Sequence, residues 1–235
     1  MLSYKKGIIE NSHSLFHILS YILNFSKSMD QYLVSQIFFF IVITFSAVIH
    51  EYAHGWMADR LGDPTARLSG RLTINPLVHI DPVGTLLMPA VLYLISNGTF
   101  LFAFAKPVPI NPFNLRNIRN GTAIVAFAGP ASNFLLAIIF GILVRILPGT
   151  QLTLFFLVIV YANIVLGVFN LVPIPPLDGS KVLFSILPSQ FNDIKVFLEV
   201  YGWAILLFFA LFFFRFLVPI INFLFNVITG SNGIF

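Results

Sequence analysis

Long apolar runs alternate with short polar segments along this chain. Residues 33–56, 121–147, 152–172 and 197–214 are each apolar over a length suited to a bilayer core, which takes about 20 helical residues. A shorter apolar run, 83–96, carries Pro89. Near the start, Leu15, Ile18, Leu19, Ile22 and Leu23 fall at helical spacing on one face. Residues 1–30 therefore read as an interfacial helix, with an extra tilted span as the alternative. After the first span, "DRLGDPTARLSGRLTINPLVHIDP" is broken by Gly and Pro, and within it "ARLSGRLTI" reads as a short strand pair. The last stretch, "FLVPIINFLFNVITG", contains Pro219 and reads as lying in the membrane interface. The pattern predicts an all-α polytopic membrane protein of about four to six transmembrane helices. No repeat or linker divides it, so residues 1–235 form one integral membrane domain.

Composition supports lipid as the solvent. The chain is 58% hydrophobic and 9% charged, with a mean hydropathy of +0.93; a soluble domain carries roughly 25% charged residues. There are no cysteines, which excludes disulfides and thiolate metal sites. The net charge of +4 is spread along the chain, so nothing points to nucleic acid.

The chemistry sits in "SAVIHEYAHG", at the end of the first span. His50 and His54 are four residues apart, about 40° and 6 Å on a helix, so both imidazoles share one face. Glu51 beside them completes an HExxH pattern: two zinc ligands and a general base that reaches water rather than metal. Ionisable residues are costly near a membrane without a purpose, and three crowd one turn here. Catalytic zinc takes a third protein ligand. Asp178 stands out, just past the third span, where Pro173, Pro175 and Pro176 break the helix and let the chain turn back. Gly179 allows close approach or a left-handed backbone. The residues alone leave a second reading open, in which Asp178 caps the helix that follows.

Three motifs carry a resemblance: "HEYAH" at 50–54, "AGPASN" at 128–133 and "FNLVPIPPLDGS" at 169–180. Over residues 33–215 the chain resembles the site-2 protease family of intramembrane zinc metalloproteases, in its compact branch without PDZ or CBS domains. The resemblance implies one zinc ion per chain held by His50, His54 and Asp178, with Glu51 as the catalytic base. It also places Asn170 and Asn133 near the site, as candidates for binding substrate backbone or the oxyanion. The implied activity is hydrolysis of peptide bonds in or near transmembrane segments. A membrane zinc carrier and an inactive relative that only binds membrane segments are the competing readings; Glu51 argues against the first, and the intact HExxH with Asp178 against the second.

Chain parity constrains the topology. His50 and Asp178 meet at one metal only if the exits of the first and third spans face the same side. Residues 83–105 must then enter the membrane and return, in a stretch too short for two full helices. A half-helix broken near Asn97-Gly98 and returning extended fits, and "TFLFAFAKPVPI" or "ARLSGRLTI" could offer an edge to an unwound substrate. This folding puts Arg60, Arg67, Arg71, Lys106, Arg116, Arg119, Lys181 and Lys195 on the zinc side, against Lys5, Lys6, Lys27, Arg145 and Arg215. The excess favours a zinc site toward the cytoplasm, in the cell membrane. The expected partners are the lipid bilayer and a transmembrane protein or peptide substrate. His79 reads as a structural or turn residue.

Overall fold

The computed structural model describes residues 29–87, 91, 94–95 and 106–230. The reading of residues 1–30 and the turn at Asn97-Gly98 lie essentially outside these. Helix α1 runs Met29–Arg60, followed by one-turn helices α2 (Thr65–Leu68) and α3 (Pro76–His79) and a wide helical turn at Pro82–Leu87. Then come α4 (Ile118–Ile146), α5 (Gln151–Asn170), α6 (Asp178–Ile186), α7 (Asn192–Phe212) and α8 (Val218–Thr229). Four helical segments are long and apolar enough to cross a membrane: Ile37–Arg60, Ile118–Ile146, Leu152–Asn170 and Ser189–Phe212. The chain is an all-α membrane protein over the described residues, which contain no strand.

Helix α4 is the hub, packing on α1, α5, α6 and α8. Lipid offers no hydrophobic drive between helices, so close packing must hold them. Small residues permit it: Gly141 of α4 lies against Ile228, and Gly167 of α5 against the Phe134 ring. The main core joins Ala137, Val160, Ile164, Val168, Ile221 and Phe225. Phenylalanines and leucines on α7 such as Leu207, Phe208, Leu211 and Phe212 stay exposed, as a lipid-facing helix requires.

One expectation needs correction. The stretch "ARLSGRLTI" is not a strand pair. Asp63 accepts the Thr65 N–H at 3.1 Å, Pro64 sets a helical φ, and the turn closes from Ser69 N–H to the Thr65 carbonyl at 3.0 Å. The last stretch forms a helix packed on α4 and α5. Pro219 falls in the first turn of α8, where its missing N–H costs nothing, and Ile221 and Phe225 are buried in the core. Residues 99–105 of the candidate re-entrant edge lie outside the described set.

The base of that excursion is defined. Lys106 N–H donates to the His79 carbonyl at 2.8 Å, and Arg71 donates to the Lys106 carbonyl at 2.9 Å. The chain therefore leaves after His79 and returns at Lys106 in the same place. The strap that follows is fixed at three more points. Val108 N–H donates to Glu51 Oε2 at 2.8 Å, Asn111 N–H to Asp63 Oδ2 at 2.6 Å, and Arg116 N–H to the Leu61 carbonyl at 3.0 Å. Arg119 then donates to the Ile186 carbonyl at 2.7 Å, tying the start of α4 to the end of α6. At the opposite end, Arg145 donates to the Ile228 carbonyl at 2.9 Å. The end of α1, the start of α4 and the end of α6 are thus gathered at one end of the bundle.

Candidate metal centre

His50, His54 and Asp178 converge from α1 and the first turn of α6. The distances His50 Nε2 to Asp178 Oδ2 and His54 Nε2 to Asp178 Oδ2 are each 3.0 Å. The two Nε2 atoms are also 3.0 Å apart. All three residues are buried. Tetrahedral zinc with bonds of 2.0–2.1 Å has ligand-to-ligand edges of about 3.3 Å, close to this triangle.

The outer face of each imidazole shows which nitrogen is available. His50 Nδ1 lies 2.7 Å from Asn133 Oδ1, and His54 Nδ1 lies 2.7 Å from the Val125 carbonyl oxygen. Neither oxygen can donate, so both Nδ1 atoms carry the proton and both Nε2 atoms point a lone pair inward. Two lone pairs and a carboxylate so close together require a cation among them. A proton shared across the triangle is one solution. A divalent metal is the other, and this donor set fits zinc.

Helix α4 builds the wall behind the histidines. Pro130 has no N–H for the preceding turn, and next to it the Val125 carbonyl receives His54. Gly129 faces the imidazoles with nothing: a Cβ there would lie 2.6 Å from His50 Nε2 and closer still to His54 Nε2. Asn133 sits behind His50 and is fully buried. The motif "AGPASN" is therefore the support of the metal group.

Asp178 is not a helix cap. Leu177 occupies the N-cap position of α6, and the Asp178 side chain meets the histidines. Gly179 serves close approach, since a Cβ there would come within 2.6 Å of the Val172 carbonyl oxygen. Lys181, half exposed, lies 3.5 Å from the other Asp178 oxygen. Glu51 stays out of the triangle with one oxygen on Val108 N–H. Asn170 is half-buried on the last turn of α5, its amide nitrogen donating to the Leu166 carbonyl at 3.0 Å. His79 does not join the group; its Nε2 donates to the Thr73 carbonyl at 2.8 Å.

Sequence reasoning did not single out Gly129, Val108, Asn163 or Ser46. Asn163 had a signal, as a polar side chain inside an apolar span. Its Oδ1 accepts from Asn133 Nδ2 at 3.0 Å, and its own Nδ2 donates to Ser46 Oγ at 2.9 Å. Hydrogen bonds between membrane helices average only about 0.6 kcal/mol, so their larger consequence here is orientation.

Comparison with known proteins settles the family. The model of peptidase family M50 matches residues 38–153 and 147–213. The chain belongs to peptidase family M50. It is 34% identical to "Putative zinc metalloprotease YwhC" of Bacillus subtilis over 195 residues, 79% of this chain and 82% of that protein. It is 32% identical over 141 residues to Rip2 of Mycolicibacterium smegmatis, named in the same words, across 59% of this chain and 52% of Rip2. A third relative so named, MJ0611 of Methanocaldococcus jannaschii, is 38% identical over 99 residues, 42% of this chain and 50% of that protein. No solved structure matches. This M50 chain is a membrane-embedded zinc metalloprotease, and His50, His54 and Asp178 form a group that could hold a metal ion.

Proposed function

We propose that this M50 protease hydrolyses peptide bonds in or beside membrane-spanning segments of other proteins, with Glu51 as the general base. The depth of the metal group carries this reading. His50 lies ten residues before the end of α1 at Arg60, about 15 Å along the axis, within an apolar span. A site for soluble substrates has no reason to sit so deep.

His50, His54 and Asp178 would hold the zinc, which would supply Lewis acidity to a water and to the scissile carbonyl. The chain's own residues do the rest. Glu51 is held by Val108 N–H through one oxygen, which fixes its rotamer beside the ligands. Its carboxylate takes the proton of the attacking water and returns it to the departing amine nitrogen. Asn170 is the residue left to meet substrate backbone, since Asn133 is committed to His50. The strap offers few donors of its own, because Pro107, Pro109 and Pro112 lack N–H groups. A substrate strand pairing there would have to donate to its carbonyls. The basic residues Arg60, Arg67, Arg71, Arg116 and Arg119 lie on segments joined at the metal end, supporting a cytoplasm-facing site in the cell membrane.

The test is zinc content together with cleavage of a transmembrane reporter in vesicles. Glu51→Gln is expected to keep zinc and lose cleavage. Cleavage at the wild-type rate by that variant would refute the base assignment, and zinc movement across the vesicle without any cleavage would replace the protease with a carrier.

A further inference from the structure

A buried chain of amides runs from the metal group into the bundle. His50 Nδ1–H donates to Asn133 Oδ1 at 2.7 Å. Asn133 Nδ2 donates to Asn163 Oδ1 at 3.0 Å. Asn163 Nδ2 donates both to Ser46 Oγ and to the Ile159 carbonyl, each at 2.9 Å. Asn133 and Asn163 are fully buried and Ser46 nearly so. The chain links α1, α4 and α5, and its two ends lie one helical turn apart on α1.

The direction of the chain is informative. An amide has a donor end and an acceptor end of nearly equal size, so shape alone does not decide which end of Asn133 faces His50. Asn163 decides it. The Ile159 carbonyl can only accept, so it fixes the Asn163 nitrogen toward itself and Ser46. That turns the Asn163 oxygen to Asn133, which turns the Asn133 oxygen to His50. A carbonyl at His50 Nδ1 holds the proton on that nitrogen and leaves Nε2 as the ligand.

We propose that Asn163 and Ser46 are positioning residues for the metal, acting through Asn133 to set the tautomer and orientation of His50. This rests on the metalloprotease reading above, and assigns Asn133 to the metal's support rather than to the substrate. Without Asn163, Asn133 is free to flip and present its NH2 group to His50 Nδ1–H. Donor then faces donor, the remedy is to move the proton to Nε2, and the metal loses a lone pair.

The experiment measures zinc affinity of the purified protein in detergent by chelator competition, with thermal midpoints alongside. Asn163→Leu removes both ends of the amide. Asn163→Asp in its protonated form keeps a carbonyl for Asn133 and one O–H, which the Ile159 carbonyl accepts. We expect Asn163→Leu to bind zinc 10–100-fold more weakly, the usual cost of losing a partner behind a histidine ligand, and Asn163→Asp to stay near wild type. Asn163→Ala carries the same expectation as the leucine variant should that protein not fold. Unchanged affinity in the folded leucine or alanine variant would overturn the proposal. So would equal weakening in all variants in proportion to their loss of thermal midpoint, which marks a packing role only. Failure of the wild type itself to bind zinc would instead overturn the metal-site reading on which this one stands.

Discussion

Gly129→Ala adds one methyl group, to a residue that is not a ligand, and should empty the metal site. The added Cβ would stand 2.6 Å from His50 Nε2, where ordinary contact begins at 3.4 Å, so that nitrogen must retreat by 0.8 Å. His54 Nε2 would have to retreat further. A metal site tolerates ligand displacements of about 0.2 Å. The rings have nowhere to go, because their Nδ1 atoms are held at 2.7 Å by Asn133 and by the Val125 carbonyl. Either those bonds break or the zinc-binding triangle opens. The expected loss of zinc affinity exceeds the roughly 100-fold upper range for removing a supporting hydrogen bond. Helix propensity points the other way, since alanine favours a helix interior by about 1 kcal/mol over glycine, so a weaker α4 cannot account for the loss. Gly121→Ala on the same helix is the control; the nearest atoms to its Cβ are those of the Leu115 side chain, at 3.2 Å. Zinc retained after chelator challenge, read by elemental analysis, and reporter cleavage are measured for both. A Gly129→Ala protein with stoichiometric zinc and wild-type cleavage would refute the geometry of the site.

Asp178→Asn should keep the fold and lose zinc, because Asn is a neutral, poorer ligand and the side chain caps nothing; a fully active variant with stoichiometric zinc would place the third ligand elsewhere. Asp63 gives a pH dependence. Burial alone would raise its pKa, but hydrogen bonds from the Thr65 and Asn114 side chains and from the Asn111 and Thr65 N–H groups outweigh that and hold it below the ordinary value. Its stabilisation is therefore present above about pH 4, the unfolded carboxyl value, and fades as pH falls through the lower folded value. Thermal midpoints of the wild type should drop more steeply below that pH than those of Asp63→Asn, which should already be about 1–3 kcal/mol less stable at neutral pH; parallel pH curves would contradict the role. Cysteines placed at Ser69 and Lys106 should react with an impermeant reagent from the same membrane face, since Arg71 and His79 both bond to Lys106; labelling from opposite faces would contradict the closed base.

The helices that face lipid were legible because lipid demands long uninterrupted apolar runs, and the spans at 121–147 and 152–172 agree closely with α4 and α5. The metal group was legible where chemistry is expensive: His50, Glu51 and His54 crowd one turn of a membrane helix. Asp178 was harder, since an aspartate opening a helix reads equally well as a cap. Only its burial against two imidazoles separates the readings. Gly129 could not be found by chemistry, because its contribution is a missing atom. "ARLSGRLTI" misled because its alternation of apolar and polar residues has a strand's period, while the Asp63-Pro64-Thr65 turn ahead of it starts a helix. Pro219 falls in the first turn of α8, so it opens a helix.

The peptide pair that joins Lys106 to His79 has a consequence for how such a protein can diversify. A segment clasped at its neck can be lengthened, shortened or exchanged while the floor beneath it stays put. The Glu51 carboxylate is pinned by Val108 on the near side of the clasp, outside residues 80–105. The bond that fixes Glu51 is thereby separate from the segment beyond the clasp.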